Sequence, residues 1–321
     1  MGRLHARVFS QMPGVRLVGV HDASPDAAAA TAEAHGCRAF ESLEQLLPEV
    51  AAVTIAVPTE SHADVAEPFL ARGIACLIEK PLAKSAEEGR RIVAAAQRSG
   101  ATVQVGHIER FNPVVRAMER LGVRPRFLEV TRVSPMTFRS MDVGVVLDVM
   151  IHDIDIVLRL AGSPAERVDA VGVNVIGPHE DICNARVTFA NGCVANLTAS
   201  RLALKTTRTL RAFSPDAYVS LDYQKKYGIV VRRSGNLDAV RDAAARIRAG
   251  EVADLSQLNY ADLVQVEELE IDDVEPARAQ LEAFVSAVTH KTRPVVSAED
   301  GLAAVELAAR IVAAMPEPDL K

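Results

Sequence analysis

Residues 74–105 read IACLIEKPLAKSAEEGRRIVAAAQRSGATVQV, a stretch in which two short apolar runs enclose an amphipathic segment. The runs at 74–78 and 102–105 predict buried strands, and residues 86–99 predict a helix that ends at Gly100. The same alternation of strand and helix extends back through the first third of the chain. That third is therefore predicted to form parallel βαβ units, a Rossmann-type doubly wound sheet in an α/β fold.

After residue 107 the pattern changes to longer strands, several joined by hairpin signals such as Asn191-Gly192. We predict strands at 127–133, 167–175, 182–189, 194–201, 207–213, 217–222 and 229–233, and closing helices at 280–290 and 301–314. The chain is thus predicted to hold a Rossmann domain over residues 1–107 and, over 108–321, an α+β domain with a mostly antiparallel sheet. Residues 236–260 form a polar, partly helical insertion whose role the pattern does not indicate.

Size and composition are typical of a soluble enzyme. The chain has 321 residues, of which 49% are hydrophobic and 24% charged, enough for about two domains. Neither a signal peptide nor a membrane-spanning run is apparent, and the four scattered cysteines argue against a disulfide framework and a structural zinc site. A cytoplasmic location is expected. The net charge of −6 disfavours nucleic acid as a partner.

The first residues, Gly2-Arg3-Leu4, open a helix where a dinucleotide-binding fold has the third glycine of its Gly-x-Gly-x-x-Gly loop. Asp22 ends the next strand 20 residues later, where a ribose-binding carboxylate is expected, although a chance carboxylate is the alternative. A carboxylate there favours NAD over NADP. Because the first strand and two glycines of this fold are missing from the sequence, we expect a start codon upstream or weak cofactor binding.

An apolar segment at 143–158 holds Asp148 and His152 one turn apart on one face of a predicted helix. Desolvating these groups is costly unless each finds a polar partner. They therefore face either a ligand or a hydrogen-bonding partner in the other domain, and this segment alone leaves both readings open. Asp153 points about 100° away from His152, so no metal site is predicted.

Glu79-Lys80-Pro81 follows a predicted strand of the parallel sheet, and open parallel sheets bind ligands at the carboxyl ends of their strands. Glu79 and Lys80 are therefore predicted to lie at the cofactor crevice. Pro58, Thr59 and His62 follow another such strand and are predicted to line the same crevice, with a packed structural role as the alternative for His62.

The ordered set of motifs resembles the glucose-fructose oxidoreductase / inositol dehydrogenase / rhizopine-catabolism (Gfo/Idh/MocA) family of NAD(P)-dependent oxidoreductases. The motifs are Val57-Pro58-Thr59-x-Ser61-His62, Glu79-Lys80-Pro81-Leu82, Val105-Gly106-His107 and Leu147-Asp148-x₃-His152-Asp153-x-Asp155. The resemblance implies that Lys80 lies between the nicotinamide and the reacting hydroxyl, and that Asp148 and His152 line a sugar site. It also implies a homodimer or homotetramer formed through the open sheet face.

A narrower set of motifs resembles the UDP-N-acetylglucosamine 3-dehydrogenase branch of that family. These motifs are the string from Gly106 to Pro113, the string from Asp142 to Asp148, and His179-Glu180-Asp181. The resemblance implies oxidation of the sugar 3-hydroxyl to a ketone, a step towards the diamino sugars of lipid A. Arg110, Asn112 and Arg139 then become candidates for binding the pyrophosphate or sugar, with an ordinary surface role as the alternative for each arginine.

The resulting hypothesis is hydride transfer from a sugar carbon to NAD. His152 acts as general base, Asp148 orients the imidazole or holds a hydroxyl, and Lys80 donates to the developing alkoxide. Which of Lys80 and His152 takes the proton stays open. Three other functions also stay open: a dehydrogenase of another sugar or inositol, a redox-neutral NAD-dependent glycosidase, and a non-catalytic NAD-binding or sensing protein.

Overall fold

The computed structural model describes residues 1–136, 143–233, 237–250 and 264–316. Its helices are α1 (Gly2–Ser10), α2 (Pro25–His35), α3 (Leu43–Leu46), α4 (His62–Leu70), α5 (Ala86–Ser99), α6 (Pro113–Arg120), α7 (Ile151–Ala161), α8 (Leu237–Arg248), α9 (Pro276–His290) and α10 (Ala298–Ala313). Its strands are β1 (Gly19–Val20), β2 (Arg38–Ala39), β3 (Ala52–Ile55), β4 (Ala75–Glu79), β5 (Val103–Gly106), β6 (Phe127–Val133), β7 (Ala165–Val173), β8 (Ile182–Phe189), β9 (Val194–Ser200), β10 (Thr207–Phe213), β11 (Ala217–Asp222), β12 (Tyr227–Arg233) and β13 (Val264–Glu268).

The first third of the chain is a parallel α/β layer in two hydrogen-bonded pieces. Strands β3, β4 and β5 form a parallel sheet, whereas β1 pairs with β2 alone. All five residues of β4 are buried, as expected for a strand with helices on both faces. Strand β1 has only two residues, because only Gly19 and Val20 have ladder partners in β2.

The rest of the chain is built on an eight-stranded sheet in the order β13-β12-β11-β10-β6-β9-β8-β7. All its pairs are antiparallel except β6 with β9, so the prediction of a mostly antiparallel sheet is confirmed. One face is apolar and packs on α6, α7 and α10, whereas the other carries polar side chains. On β6, buried residues alternate with half-buried ones, the period-2 pattern of a sheet covered on one face.

The two C-terminal helices connect the layers. Phe284 on α9 packs with Val8 of α1 and Leu77 of β4, and Leu307 on α10 belongs to the core under the large sheet. Ser297 begins α10 with a capping box, in which its side chain accepts a hydrogen bond from the backbone N–H of Asp300. Helices α9 and α10 therefore hold both layers together. The domain boundary at residue 107 stays a prediction.

Three local features differ from the prediction. The helix predicted across 143–158 is interrupted by a π-helical segment, Val146–Met150, before α7 begins. Strand β13 was not predicted, and four of its five residues are exposed at the sheet edge. Helix α6 was not predicted, although Asn112 before Pro113 is a recognisable helix start.

No helix in the described ranges is long and apolar enough to cross a bilayer.

Replacing Phe284 tests the packing between the C-terminal helices and the parallel layer. We expect Phe284→Ala to lower the free energy of unfolding by about 3–5 kcal/mol, because a buried aromatic side chain would leave a cavity in the core. Urea unfolding monitored by circular dichroism measures this change. Thr289→Ala, at an exposed position of the same helix, is the control and should stay within about 0.5 kcal/mol of the original protein. Equal loss in both variants would contradict the assigned packing.

Candidate active site

Lys80 and Asp148 meet at the carboxyl end of the parallel sheet. Lys80 follows β4 directly, and its Nζ donates to the backbone oxygen of Asp148 at 2.7 Å and to Oδ1 at 3.4 Å. The two side chains are 21% and 29% exposed, so the pair is accessible to solvent. The structure thus brings together two predicted catalytic residues that are 68 positions apart in the chain.

His152 lies in the first turn of α7, close enough to Lys80 for their charges to interact. Its Nδ1 is buried without a hydrogen-bond partner. Burial lowers the pKa of His152 well below its usual 6.5, and the positive charges of Lys80 and Arg132 lower it further. The ring is therefore neutral near pH 7, which is the state that a general base requires.

The π-helical turn Val146–Met150 carries Asp148 and ends just before α7. Such turns are wider than an α-helical turn and are frequent at functional sites. The uniform α-helix assumed for Asp148 and His152 is therefore not observed, since Asp148 lies in the π turn and His152 in α7. Asp148 contacts Lys80, and the charge of Lys80 acts on His152.

Glu180 holds the start of this helical segment. Its backbone oxygen accepts from Val145 N at 2.9 Å, and its Oε1 accepts from Val146 N at 3.1 Å. A Cβ atom on Gly144 would overlap the Glu180 carboxylate, so a side chain at that position would displace the carboxylate. The carboxylate lies at a helix N-terminus, where the helix dipole favours negative charge.

The neighbouring Asp181 fixes the loop that carries Glu180. It is fully buried, and its carboxylate accepts from the backbone N–H groups of Val175 and Ile176 and from Arg201 Nε. Burial raises the pKa of Asp181, but these donors outweigh it and lower the pKa to about 2. Arg201 also donates to the Val143 oxygen. This bond connects the loop to the start of the helical segment that begins at Val146.

Two buried ion pairs flank His152. Asp153 accepts both donors of an Arg132 fork at 2.8 and 2.9 Å, and Asp155 accepts from Arg110 at 2.6 and 2.9 Å. Arg132 also donates to Glu109 at 2.8 Å. These bidentate bonds hold α7 against β6 and the turn that follows β5. Sequence reasoning missed Arg132, because nothing local indicates a partner 21 residues away.

Of the predicted substrate ligands other than Asp148, two are already bonded to protein groups and one lies outside the described residues. Arg110 is buried, and its guanidinium already binds Asp155, so we do not retain it as a phosphate ligand. Asn112 caps α6 by accepting from Val114 N and donates to Glu109, so it is not retained either. Arg139 lies outside the described residues.

His62 and Glu79 point into the protein. The His62 ring is buried, with Nδ1 2.9 Å from the Pro81 oxygen and Nε2 3.1 Å from the Val57 oxygen. This favours the structural alternative, in which His62 braces the turn after Lys80. Glu79 is buried 3.3 Å from Nε2 of His5, a residue of α1 that sequence reasoning did not single out.

A cavity of about 800 Å³ lies between β1 and β3, beside the start of α1. Gly2, Arg3, Asp22 and Pro58, four of the predicted cofactor residues, line it. Leu4, Thr59, His62, Glu79 and Lys80 are not among its lining residues. Leu4 instead packs in the apolar cluster beneath α1. Four of the nine predicted cofactor residues thus line one cavity, and the other five do not.

The lining of this cavity fits a dinucleotide. The first turn of α1 has no side-chain cap, so its N–H groups are available to a phosphate beside the exposed Arg3. Asp22 is exposed and caps its own turn through Oδ1, which accepts from Ser24 N. Its second oxygen has no protein partner in the described ranges and is free for a ribose hydroxyl. Among the described residues, no group of three or more His, Cys, Asp or Glu side chains could hold a metal ion.

Two family models match the chain. Residues 1–107 match the oxidoreductase family with an NAD-binding Rossmann fold, and residues 124–214 match the GFO/IDH/MocA C-terminal domain. A UDP-N-acetylglucosamine 3-dehydrogenase of Acidithiobacillus ferrooxidans is 38% identical over 79% of this chain and 84% of its own length. An inositol 2-dehydrogenase of Rhizobium meliloti is 28% identical over 99% of this chain and 94% of its own length.

Solved structures show the same fold over nearly the whole chain. The structure of UDP-N-acetylglucosamine 3-dehydrogenase from Acidithiobacillus ferrooxidans superposes with a TM-score of 0.87 at 31% identity, covering 98% of this chain and 94% of the other. Levoglucosan dehydrogenase in complex with NADH superposes with a TM-score of 0.80 at 19% identity, covering 98% and 94%. The second likeness concerns the fold alone.

Gly144→Ala tests how closely Glu180 approaches the helix start. We expect a loss of about 1–3 kcal/mol in the free energy of unfolding, because the new methyl group would displace the carboxylate that caps the segment. Thermal and urea unfolding measure this loss. The control is Gly2→Ala, whose Cβ would make only an ordinary contact 3.9 Å from Ala56. An unchanged stability of Gly144→Ala would show that the carboxylate does not cap this segment.

Proposed function

The chain belongs to the GFO/IDH/MocA family of NAD-binding oxidoreductases, and within this family we propose that it oxidises the 3-hydroxyl of UDP-N-acetylglucosamine to a ketone. It is a dehydrogenase that acts on CH–OH groups of sugars, with NAD as its cofactor. The single observation that carries the chemistry is the contact of Lys80 with Asp148, four residues before the neutral His152. The choice of substrate is supported by the 38% identity to a dehydrogenase of that nucleotide sugar.

The proposed roles follow from the charge of each group. The neutral His152 accepts the hydroxyl proton, and the Lys80 ammonium stabilises the negative charge that develops on the substrate oxygen. Asp148 holds the ammonium through its backbone and carboxylate oxygens. NAD, when bound, accepts the hydride from the sugar carbon. The proton and the hydride thus leave the substrate to separate acceptors, and the ketone remains.

The proposed cofactor contacts use the cavity beside α1. The N–H groups at Gly2 and Arg3, with the Arg3 guanidinium, bind the pyrophosphate, and Asp22 binds the ribose hydroxyls. An exposed carboxylate at Asp22 would repel a 2′-phosphate, which favours NAD over NADP. Pro58 bounds the same cavity on the β3 side.

We further propose that the chain forms a homodimer or homotetramer through the uncovered face of the large sheet. On that face Phe127 stacks on Phe213 with ring centroids 5.5 Å apart, and Phe213 contacts Tyr218. A patch of adjoining aromatic rings on an open sheet is typical of an interface.

A steady-state assay of NADH formation tests the proposed catalytic roles. With UDP-N-acetylglucosamine and NAD we expect His152→Asn and Lys80→Met each to lower kcat about 10²–10⁴-fold, the usual effect of losing a positioned proton-transfer or charge-stabilising group. NAD binding, measured by calorimetry, should be retained by His152→Asn. Lys84→Gln, next to the same turn, and His290→Gln, on the exposed side of α9, are the matched controls.

Two results would contradict this proposal in different ways. Near-normal turnover in His152→Asn would remove this histidine as the base. Turnover of myo-inositol but not of UDP-N-acetylglucosamine would retain the site and reject the substrate.

The pH dependence of kcat/KM tests the electrostatic environment of His152. Its lowered pKa predicts a rate that stays constant as the pH falls to 6.5 and declines only below that, where the base becomes protonated. Arg208, exposed on β10, contributes to this lowering. Arg208→Gln should therefore move the decline to higher pH. Arg211→Gln, on the same strand but paired with Glu129, should not. Superimposable profiles for all three proteins would contradict this account.

A further inference from the structure

His107 is the least explained polar side chain near the site. It follows β5, is only 1% exposed, and neither of its ring nitrogens has a hydrogen-bond partner. A buried donor or acceptor without a partner costs about 1–3 kcal/mol. The ring therefore requires a polar partner that the described residues do not supply.

The strand register puts this histidine beside the catalytic lysine. Glu79 of β4 is aligned with Gly106 of β5, so Lys80 and His107 follow side by side at the edge of the parallel sheet. Burial lowers the pKa of the His107 ring, as do the nearby Arg110 and Lys80, although Asp155 and Glu79 act in the opposite direction. The ring is therefore neutral, with one nitrogen that donates and one that accepts.

His152 has a matching unpaired atom on its inner side. Its Nδ1 is buried without a partner in the described ranges, whereas Nε2 is not buried and is the accessible ring nitrogen. A histidine that acts as a base through one nitrogen needs a hydrogen bond at the other to set its tautomer.

None of the carboxylates around His152 supplies that bond. Asp148 is engaged by Lys80, Asp153 by Arg132, and Asp155 by Arg110. Arg132 and Arg208, the other charged groups that act on His152, are cations and cannot accept from Nδ1–H. Contacts on either side place His107 near His152: Lys80, its neighbour at the sheet edge, bonds Asp148, and Arg110, three residues after His107, bonds Asp155. Neither nitrogen of His107 has a partner in the described ranges, so one of them is a free acceptor.

We propose that His107 is a positioning residue that fixes the tautomer of His152 through one bridging water. The two rings make no direct hydrogen bond, and a water with polar partners on two sides satisfies an unpaired nitrogen of each. Nδ1–H of His152 donates to the water oxygen, and the water donates to the unprotonated nitrogen of His107. The lone pair of Nε2 then faces the substrate hydroxyl.

This role rests on the proposed function of His152 as the base. When Nε2 takes the hydroxyl proton, the ring becomes an imidazolium with a proton on each nitrogen. The Nδ1–H bond to the water then stabilises the positive charge, and no further bond forms or breaks at His107. Without this bond the ring would also populate the Nε2–H tautomer, which has no lone pair towards the substrate.

The tautomer of His152 can be read directly by NMR of the full chain labelled with ¹⁵N-histidine. Long-range ¹H–¹⁵N spectra distinguish Nδ1–H from Nε2–H rings, and His152→Asn identifies the signals. We expect His152 to be the Nδ1–H tautomer in the original protein and in His107→Gln, whose amide also accepts from water. In His107→Leu, which has no acceptor, we expect a mixture. His290→Gln, an exposed histidine of α9, is the control.

Kinetics provide a second readout. His107→Leu should lower kcat about 10–100-fold, the usual cost of removing a partner that orients a functional histidine. The KM for NAD should stay unchanged, and His107→Gln should recover most of the rate.

An Nε2–H tautomer in the original protein would overturn the proposal. So would an unchanged tautomer in a folded His107→Leu variant. Should that variant not fold, the spectrum of the original protein together with His107→Gln decides. The NMR readout needs no substrate, so a correct tautomer without NADH formation would reject the proposed function and leave this inference standing.

Discussion

The pairing of buried carboxylates with arginines on the His152 helix is the constraint on which the rest of the site depends. Asp153 and Asp155 are both buried, and each meets a bidentate guanidinium, Arg132 and Arg110. Removing one partner of such a pair costs about 3–5 kcal/mol, because the other charge stays buried and unpaired. The helix that carries His152 is thereby held in one orientation against β6 and the turn that follows β5.

Two further contacts support the proposed catalytic arrangement. Glu180, whose carboxylate occupies the space beside Gly144, sets where the helical segment starts, and the π turn that follows presents the backbone oxygen of Asp148 to Lys80. Lys80 comes from the parallel layer, so its bond to Asp148 joins the two layers of the molecule. In the proposed mechanism, the cation at the reacting oxygen and the base that takes its proton therefore have a common support.

Much of this arrangement could be predicted from the sequence, because it depends on local periodicity. Strands β8 and β10 have the predicted bounds, since alternating apolar residues identify a sheet with one buried face. The position of Lys80 follows from the rule that ligands bind at strand ends. The partners of Arg110, the π turn and the short β1 could not be predicted, because each depends on residues that are distant in the sequence. Local periodicity carries no information about such partners.

The central claim is that this arrangement removes a hydride from C3 of the sugar of UDP-N-acetylglucosamine. The most direct test is to supply the nucleotide sugar with deuterium at C3 and to measure the mass of the reduced cofactor. The account predicts singly deuterated NADH, formed more slowly than NADH from the unlabelled substrate where hydride transfer limits the rate. Reduced cofactor without deuterium, or none at all from an NAD-bound protein, would contradict it.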